Sequence, residues 1–190
     1  MIKAVIFDCF GVLKADGWKL IREEFFAGDD AKMREAMDMD KAVNAGFMDY
    51  DNFIGQISAM TGLKRQDVTR RLNSPSPNVP LFAFIRDELK PRYKVGMLSN
   101  AADDWLNELF EPWQVGLFDE TVLSYQVGMV KPDPAIYQLT TAKLGVLPDE
   151  CLFVDDVERY CTAAEALGMR AVHHQDTNRT IATIEELLRA

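Results

Sequence analysis

Four short stretches carry side chains able to do chemistry. Asp8 ends the apolar run Ile2–Phe7 and is followed by Gly11; Ser99-Asn100 ends Tyr93–Leu98; Lys131 stands just before Pro132; Asp155-Asp156 ends Cys151–Val154. A carboxylate can act as a nucleophile. A hydroxyl and an ammonium can neutralise the oxygens of an anion, and further carboxylates can hold a hard divalent cation. Taken singly, each has a plainer reading. Asp often closes a strand because it suits turns, Ser99-Asn100 reads equally as a turn, Lys131 as a solvated residue at a helix start, and Asp155-Asp156 as a capping pair. Their combination and order point to function, because in open parallel sheets ligands lie beyond the carboxyl ends of the strands.

The elements that must position these residues follow from the apolar pattern. Ile2–Phe7, Tyr93–Leu98, Cys151–Val154 and Arg170–His173 read as short buried strands. Helices are predicted over Val79–Leu89, Asp103–Phe110, Pro134–Leu144, Glu158–Leu167 and Thr180–Arg189, with short apolar pieces at Val115–Phe118 and Thr121–Leu123. Strands alternating with helices imply an α/β, doubly wound parallel sheet. Gly17 to about Leu72 is predominantly helical, with amphipathic faces at Trp18/Leu20/Ile21/Phe25, Met33/Ala36/Met37/Val43 and Phe53/Ile54/Ile57/Met60. Asp49 can cap the third of these helices and Gly62 can end it. A block of this length is too long for a plain crossover and reads as an insertion. The Ser/Pro/Asn cluster 73–78 reads as the linker that ends it. The expected division is a core of residues 1–14 and 79–190 with an inserted helical unit, 15–78.

Composition narrows the partners. The 190 residues carry 21 basic and 30 acidic side chains, a net charge of −9, which disfavours nucleic acid and anionic membrane. A small phosphate ester stays open, because a bound cation and one Lys can reverse the field locally. No apolar run approaches the ~20 residues that span a bilayer, and Asp8 interrupts the amino-terminal one, against a signal peptide. The three cysteines, Cys9, Cys151 and Cys161, have no metal-ligand spacing, and buried free thiols fit a reducing, cytoplasmic setting.

Phe7-Asp8-Cys9-Phe10-Gly11-Val12-Leu13, Leu98-Ser99-Asn100, Lys131-Pro132 and Phe153-Val154-Asp155-Asp156 resemble the four ordered motifs of the haloacid dehalogenase-like hydrolase superfamily. The branch is that of small sugar-phosphate phosphatases and the epoxide-hydrolase amino-terminal domain, and the resemblance runs from Ile2 to about Leu188. It implies a Rossmann-like core with a helical cap over the active site, and a Mg²⁺-dependent hydrolase of a small phosphorylated metabolite working through an aspartyl-phosphate. Asp8 would be the nucleophile, Ser99 and Lys131 would bind the phosphoryl group, and Asn100 would shape the same loop. Mg²⁺ would be held by Asp8, the backbone carbonyl of Phe10 and Asp156, with Asp155 standing behind.

Phe10 departs from the pattern. Phosphatases of the superfamily carry a second Asp there, which protonates the leaving oxygen and activates water; Phe10 can do neither. Three readings follow: an atypical phosphatase that is slow, restricted to good leaving groups or supplied with a proton by the cap; a fold that binds or regulates without turnover; or a 2-haloacid dehalogenase, whose halide needs no proton. Those dehalogenases are metal-independent and lack the acidic pair kept here as Asp155-Asp156, so the phosphatase reading leads and the dehalogenase ranks last. Tyr160, where the branch often has Asn, is a second departure. Lys64, Arg65, Arg70 and Arg71 read as a solvated face. His173-His174 reads as strand-end packing, and Trp18, Phe25, Phe26 and Phe47 as interior of the helical unit with pocket lining as the alternative.

Overall fold

The computed structural model describes residues 1–73, 76–103 and 106–189. Residues 74 and 75 of the expected linker, and 104 and 105 of the helix expected over Asp103–Phe110, lie outside the described residues.

Five parallel strands form one sheet in the order β3-β2-β1-β4-β5: β1 Ala4–Phe7, β2 Lys94–Ser99, β3 Glu120–Leu123, β4 Cys151–Asp155 and β5 Arg170–His173. The central strand β1 is buried on both faces, which is why it reads as a continuous apolar run rather than an alternating one. Val5 and Phe7 point into one cluster, with Met97, Val154, Phe82 and Ile184; Ala4 and Ile6 point into the other, with Leu98, Phe153, Tyr137 and Ala164. That division is the period-two alternation of a strand. Register aligns the site: Phe7 pairs with Met97 on one side and Val154 on the other, so Asp8, Ser99 and Asp155 emerge at one edge.

Between β1 and β2 lie four helices, α1 Gly17–Phe25, α2 Asp30–Asn44, α3 Tyr50–Thr61 and α4 Arg65–Asn73, around their own apolar cluster. Asp16, Asp29 and Asp49 cap the first three through side-chain oxygens that accept from backbone N–H groups, and Gly62 ends α3 at φ 75°. The remaining helices flank the sheet: α5 Val79–Phe84, continued by a wide turn over Ile85–Leu89, then α6 Leu106–Leu109, α7 Pro112–Val115, α8 Ser124–Val127, α9 Pro134–Leu144, α10 Glu158–Glu165 and α11 Thr177–Arg189. Most boundaries shift by one to three residues from the sequence reading. Residues 177–179 extend the last helix, and the apolar piece at 115–118 begins inside α7 because Pro112 starts a helical turn there.

The chain leaves and re-enters the core side by side. Lys14 bridges to Phe10 and to Pro77, and Asn78 N donates to Leu13 O at 2.7 Å. Lys14 is only 1% exposed, its ammonium donating to Asn73 O at 3.1 Å and lying 5.6 Å from the Phe10 ring centroid. Desolvation lowers its pKa. Nothing in the sequence marked this buried cation. All three cysteines are buried free thiols, and no helix among the described residues is long and apolar enough to cross a membrane.

Candidate active site

Lys131 is the centre of the site. It is 3% exposed, and its Nζ donates to Asp8 Oδ1 at 2.7 Å and to Asp155 Oδ2 at 2.5 Å. The rings of Tyr160 and Phe153 flank the ammonium at 5.1 and 5.5 Å, contacts that favour a desolvated cation. Asn100 sets its backbone: Oδ1 accepts from Lys131 N at 2.8 Å, and Nδ2 donates to Lys131 O at 3.1 Å and to the Tyr160 hydroxyl at 3.3 Å. The carboxamide of Asn100 is thereby taken up in placing Lys131, a role that the sequence did not indicate.

The acidic side is asymmetric. Asp155 is fully buried with both oxygens bonded, Oδ2 by Lys131 and Oδ1 by Val157 N at 2.8 Å. Asp156 is half-buried and lies in the space left by Gly11, where φ is 93° and an added Cβ would overlap the carboxylate. Glycine is therefore needed there both for conformation and for room. Carboxylate oxygens of Asp8, Asp155 and Asp156 all lie within 4.8 Å of one another. Burial first, then the neighbouring carboxylates, pushes Asp8 upward against the pull of Lys131. Burial, with Asp155 and Asp16, raises Asp156 to about 6. Burial lowers Lys131, but Asp155 and Asp8 outweigh it and hold the ammonium charged.

One ammonium thus faces three carboxylates in a desolvated site. All donors are hard oxygens, the set that suits Mg²⁺. Ser99 Oγ is fully buried without a hydrogen-bond partner among the described residues, a deficit that ordinarily costs about 1–3 kcal/mol. The residues present fit both a divalent cation and an anion's oxygen. Mg²⁺ is accordingly expected to bind the wild type in a calorimetric titration, and Asp156→Asn to weaken it by at least ~10-fold. Equal affinity would remove Asp156 from the ligand set.

Above this floor is a cavity of about 800 Å³. Asp8, Phe10, Asn100, Lys131 and Asp156 line its lower part; Trp18, Met33, Met37, Val43, Tyr50 and Phe53 from α1–α3 line the upper part, with Asp16, Arg22, Asp40 and Asn44. Phe10 also packs on the core cluster of Phe7 and Leu13. Of the four aromatics considered from sequence, Trp18 lines the cavity, Phe25 stacks beneath Arg71, Phe26 is buried in the helical cluster and Phe47 is 88% exposed. Arg65, Arg70 and Arg71 pair with Asp51, Asp67 and Glu24 on the surface. His173 and His174 contact the Asp156 carbonyl and the Thr180 hydroxyl.

Known proteins are similar to this chain in sequence and fold. The haloacid dehalogenase-like hydrolase family profile matches residues 2–168. The phosphatase-named protein YhcW of Bacillus subtilis is 27% identical over 184 residues, covering 90% of this chain and 83% of its own. The sesquiterpene phosphatase astK of Aspergillus oryzae is 26% identical, covering 98% and 96%. The crystal structure of the family enzyme BT-2542 from Bacteroides thetaiotaomicron, in complex with magnesium and inorganic phosphate, superposes with a TM-score of 0.71 at 25% identity, covering 94% of this chain and 98% of that one. With its five-stranded parallel sheet and its carboxylate–lysine site at the strand ends, the chain belongs to the haloacid dehalogenase-like hydrolases and is a phosphatase-like hydrolase.

Proposed function

We propose that this protein is a Mg²⁺-dependent phosphomonoesterase working through an aspartyl-phosphate on Asp8, with the four-helix unit over the site acting as its cap. The observation that carries the reading is the buried Lys131 tied to both Asp8 and Asp155, beside the open carboxylate of Asp156 and the unpartnered hydroxyl of Ser99.

Asp8 Oδ1 is held by Lys131, which leaves the second carboxylate oxygen to attack phosphorus. As that P–O bond forms, the ester P–O bond breaks and the ester oxygen departs with the bonding electron pair, taking up a proton to leave as the alcohol. Water then attacks phosphorus, releasing inorganic phosphate and restoring the Asp8 carboxylate. Lys131 and the Ser99 hydroxyl stabilise the phosphoryl oxygens, where preorganised donors act strongly in a dry site. Asp8, Asp156 and the Phe10 carbonyl would hold Mg²⁺, with Asp155 orienting Lys131. When bound, the ion neutralises the charge that opposes attack of a carboxylate on a phosphate dianion.

The acidic pair Asp155-Asp156 weighs against a metal-independent dehalogenase, because such a site would hold three close carboxylates against the single ammonium of Lys131. The alcohol portion of the ester would lie against Trp18, Met33, Met37 and Phe53, which favours an apolar skeleton; the name of the fungal relative astK agrees with this.

A panel of phosphate esters and 2-haloacids, assayed with Mg²⁺ and with chelator, tests the reading. Phosphate release that needs Mg²⁺ is expected. Halide release that survives chelator would replace the reading with dehalogenation, and phosphate binding without turnover would replace it with a binding protein.

A further inference from the structure

Phe10 leaves the departing ester oxygen without a proton donor on the first motif. We propose that Asp40, on the cavity-facing side of α2, is the catalytic acid that supplies it. Its carboxyl group protonates the ester oxygen as the P–O bond breaks, giving neutral alcohol and the Asp40 carboxylate. The carboxylate then takes a proton from the water that attacks the aspartyl-phosphate, and the carboxyl group is restored. This rests on the phosphatase reading above.

Geometry opens Asp40 to the cavity in which the reaction takes place. It lines the same cavity as Asp8, Phe10 and Lys131. The end of α2 is fastened to the core beside the phosphoryl-binding loop: buried Ser124 donates from Oγ to Asn44 O at 2.6 Å and accepts from Ala101 N at 2.9 Å. Ala101 directly follows Ser99-Asn100. Asp40 lies one turn back from this anchor, its Oδ1 accepting from Asn44 Nδ2 at 3.0 Å.

The cavity-lining stripe of α2 is also graded. Met33 and Met37 lie far from the anchor, and Asp40, Val43 and Asn44 near it; at ~1.5 Å per residue, Asp40 is about 6 Å along the axis from Asn44 and Met33 about 16 Å. An ester lying along this stripe sets its oxygen end by Asp40 and its carbon skeleton by the two methionines.

The alternatives are engaged elsewhere. Asp16 Oδ1 caps α1 by accepting from Trp18 N and Lys19 N, and its Oδ2 faces Arg22 at 3.8 Å. Glu23 and Glu158, which also line the cavity, are exposed, and Asp156 belongs to the acidic cluster. The charged groups facing Asp40 are Arg22 and Asp16 from α1 and its cap, and Arg159 from α10. Burial outweighs the two arginines and, with Asp16, raises Asp40 to about 6, close to the working range of an acid near neutrality.

The test compares an alkyl ester, decyl phosphate, with an aryl ester, p-nitrophenyl phosphate, whose leaving group needs little protonation. With Mg²⁺ and wild-type protein, kcat/KM for the alkyl ester is expected to fall above pH ~6 while that for the aryl ester does not. Asp40→Asn should lower kcat/KM for the alkyl ester by ~10²-fold and leave kcat/KM for the aryl ester nearly unchanged, because that ratio is set before the shared hydrolysis of the aspartyl-phosphate. It should also lower kcat for both esters and abolish the limb; adding Phe10→Asp should restore the alkyl reaction. The pH profiles need no variant, so a folding defect in Asp40→Asn cannot mask the result. Alkyl and aryl esters with parallel wild-type kcat/KM profiles, or losing kcat/KM in parallel in Asp40→Asn, would overturn the role of Asp40 alone. Wild type that hydrolyses neither ester would overturn the phosphatase reading and this role with it.

Discussion

Asp8→Asn is expected to fold as the wild type does and to release phosphate at least ~10³-fold more slowly, since the amide is near-isosteric but cannot attack phosphorus. The substitution is mild structurally because Asp8 is nearly buried at the end of β1, where its N–H donates to Val154 O at 2.8 Å irrespective of the side chain. Acid-quenched wild-type protein incubated with labelled ester should retain label on Asp8, and the variant none. Turnover within ~10-fold of wild type, in material shown free of the parent protein, would remove Asp8 from the nucleophilic role.

Lys131→Met should cost both activity and stability. Loss of the ammonium removes a preformed donor to the phosphoryl group, worth ~10²–10³ in turnover. It also leaves Asp8 and Asp155 buried without their common partner, and breaking a buried pair typically costs about 3–5 kcal/mol. The pH dependence has a definite sign. Asp8 is raised above its unfolded pKa of 3.8, and without Lys131 the pull that lowers it is gone. Above that value the native state binds more protons than the unfolded chain, so stability is present in acid and declines as pH rises through the folded pKa. Urea titrations in chelator at pH 5 and pH 8 should therefore show a larger penalty for Lys131→Met at pH 8. A penalty that is equal or larger at pH 5 would contradict a desolvated pair of carboxylates around this lysine.

Much of the architecture was legible along the chain because burial leaves local marks. β1 is apolar at every position since helices cover both of its faces, and the chain must stop being apolar where it reaches solvent and ligand, at Asp8. The carboxyl ends of β2 and β4 repeat that transition at Ser99 and Asp155. Cap chemistry was equally local: Asp49 and Gly62 bound α3 as their side-chain oxygen and left-handed conformation require.

What the residues alone determined, then, was an α/β sheet with a helical insertion and the four stretches bearing reactive side chains, since strand and helix periods and turn residues act over a few positions. Tertiary structure decided the relations among them. It set Lys131 between Asp8 and Asp155, gave the Asn100 carboxamide to the Lys131 backbone, and put Asp156 in the notch at Gly11. It also set Asp40, one of 30 acidic residues, on the stripe of α2 that lines the cavity. Along the chain Asp40 is an ordinary acid on a charged helix. It acquires its environment only when Ser124 fastens α2 to the core and burial withdraws water from its carboxyl group.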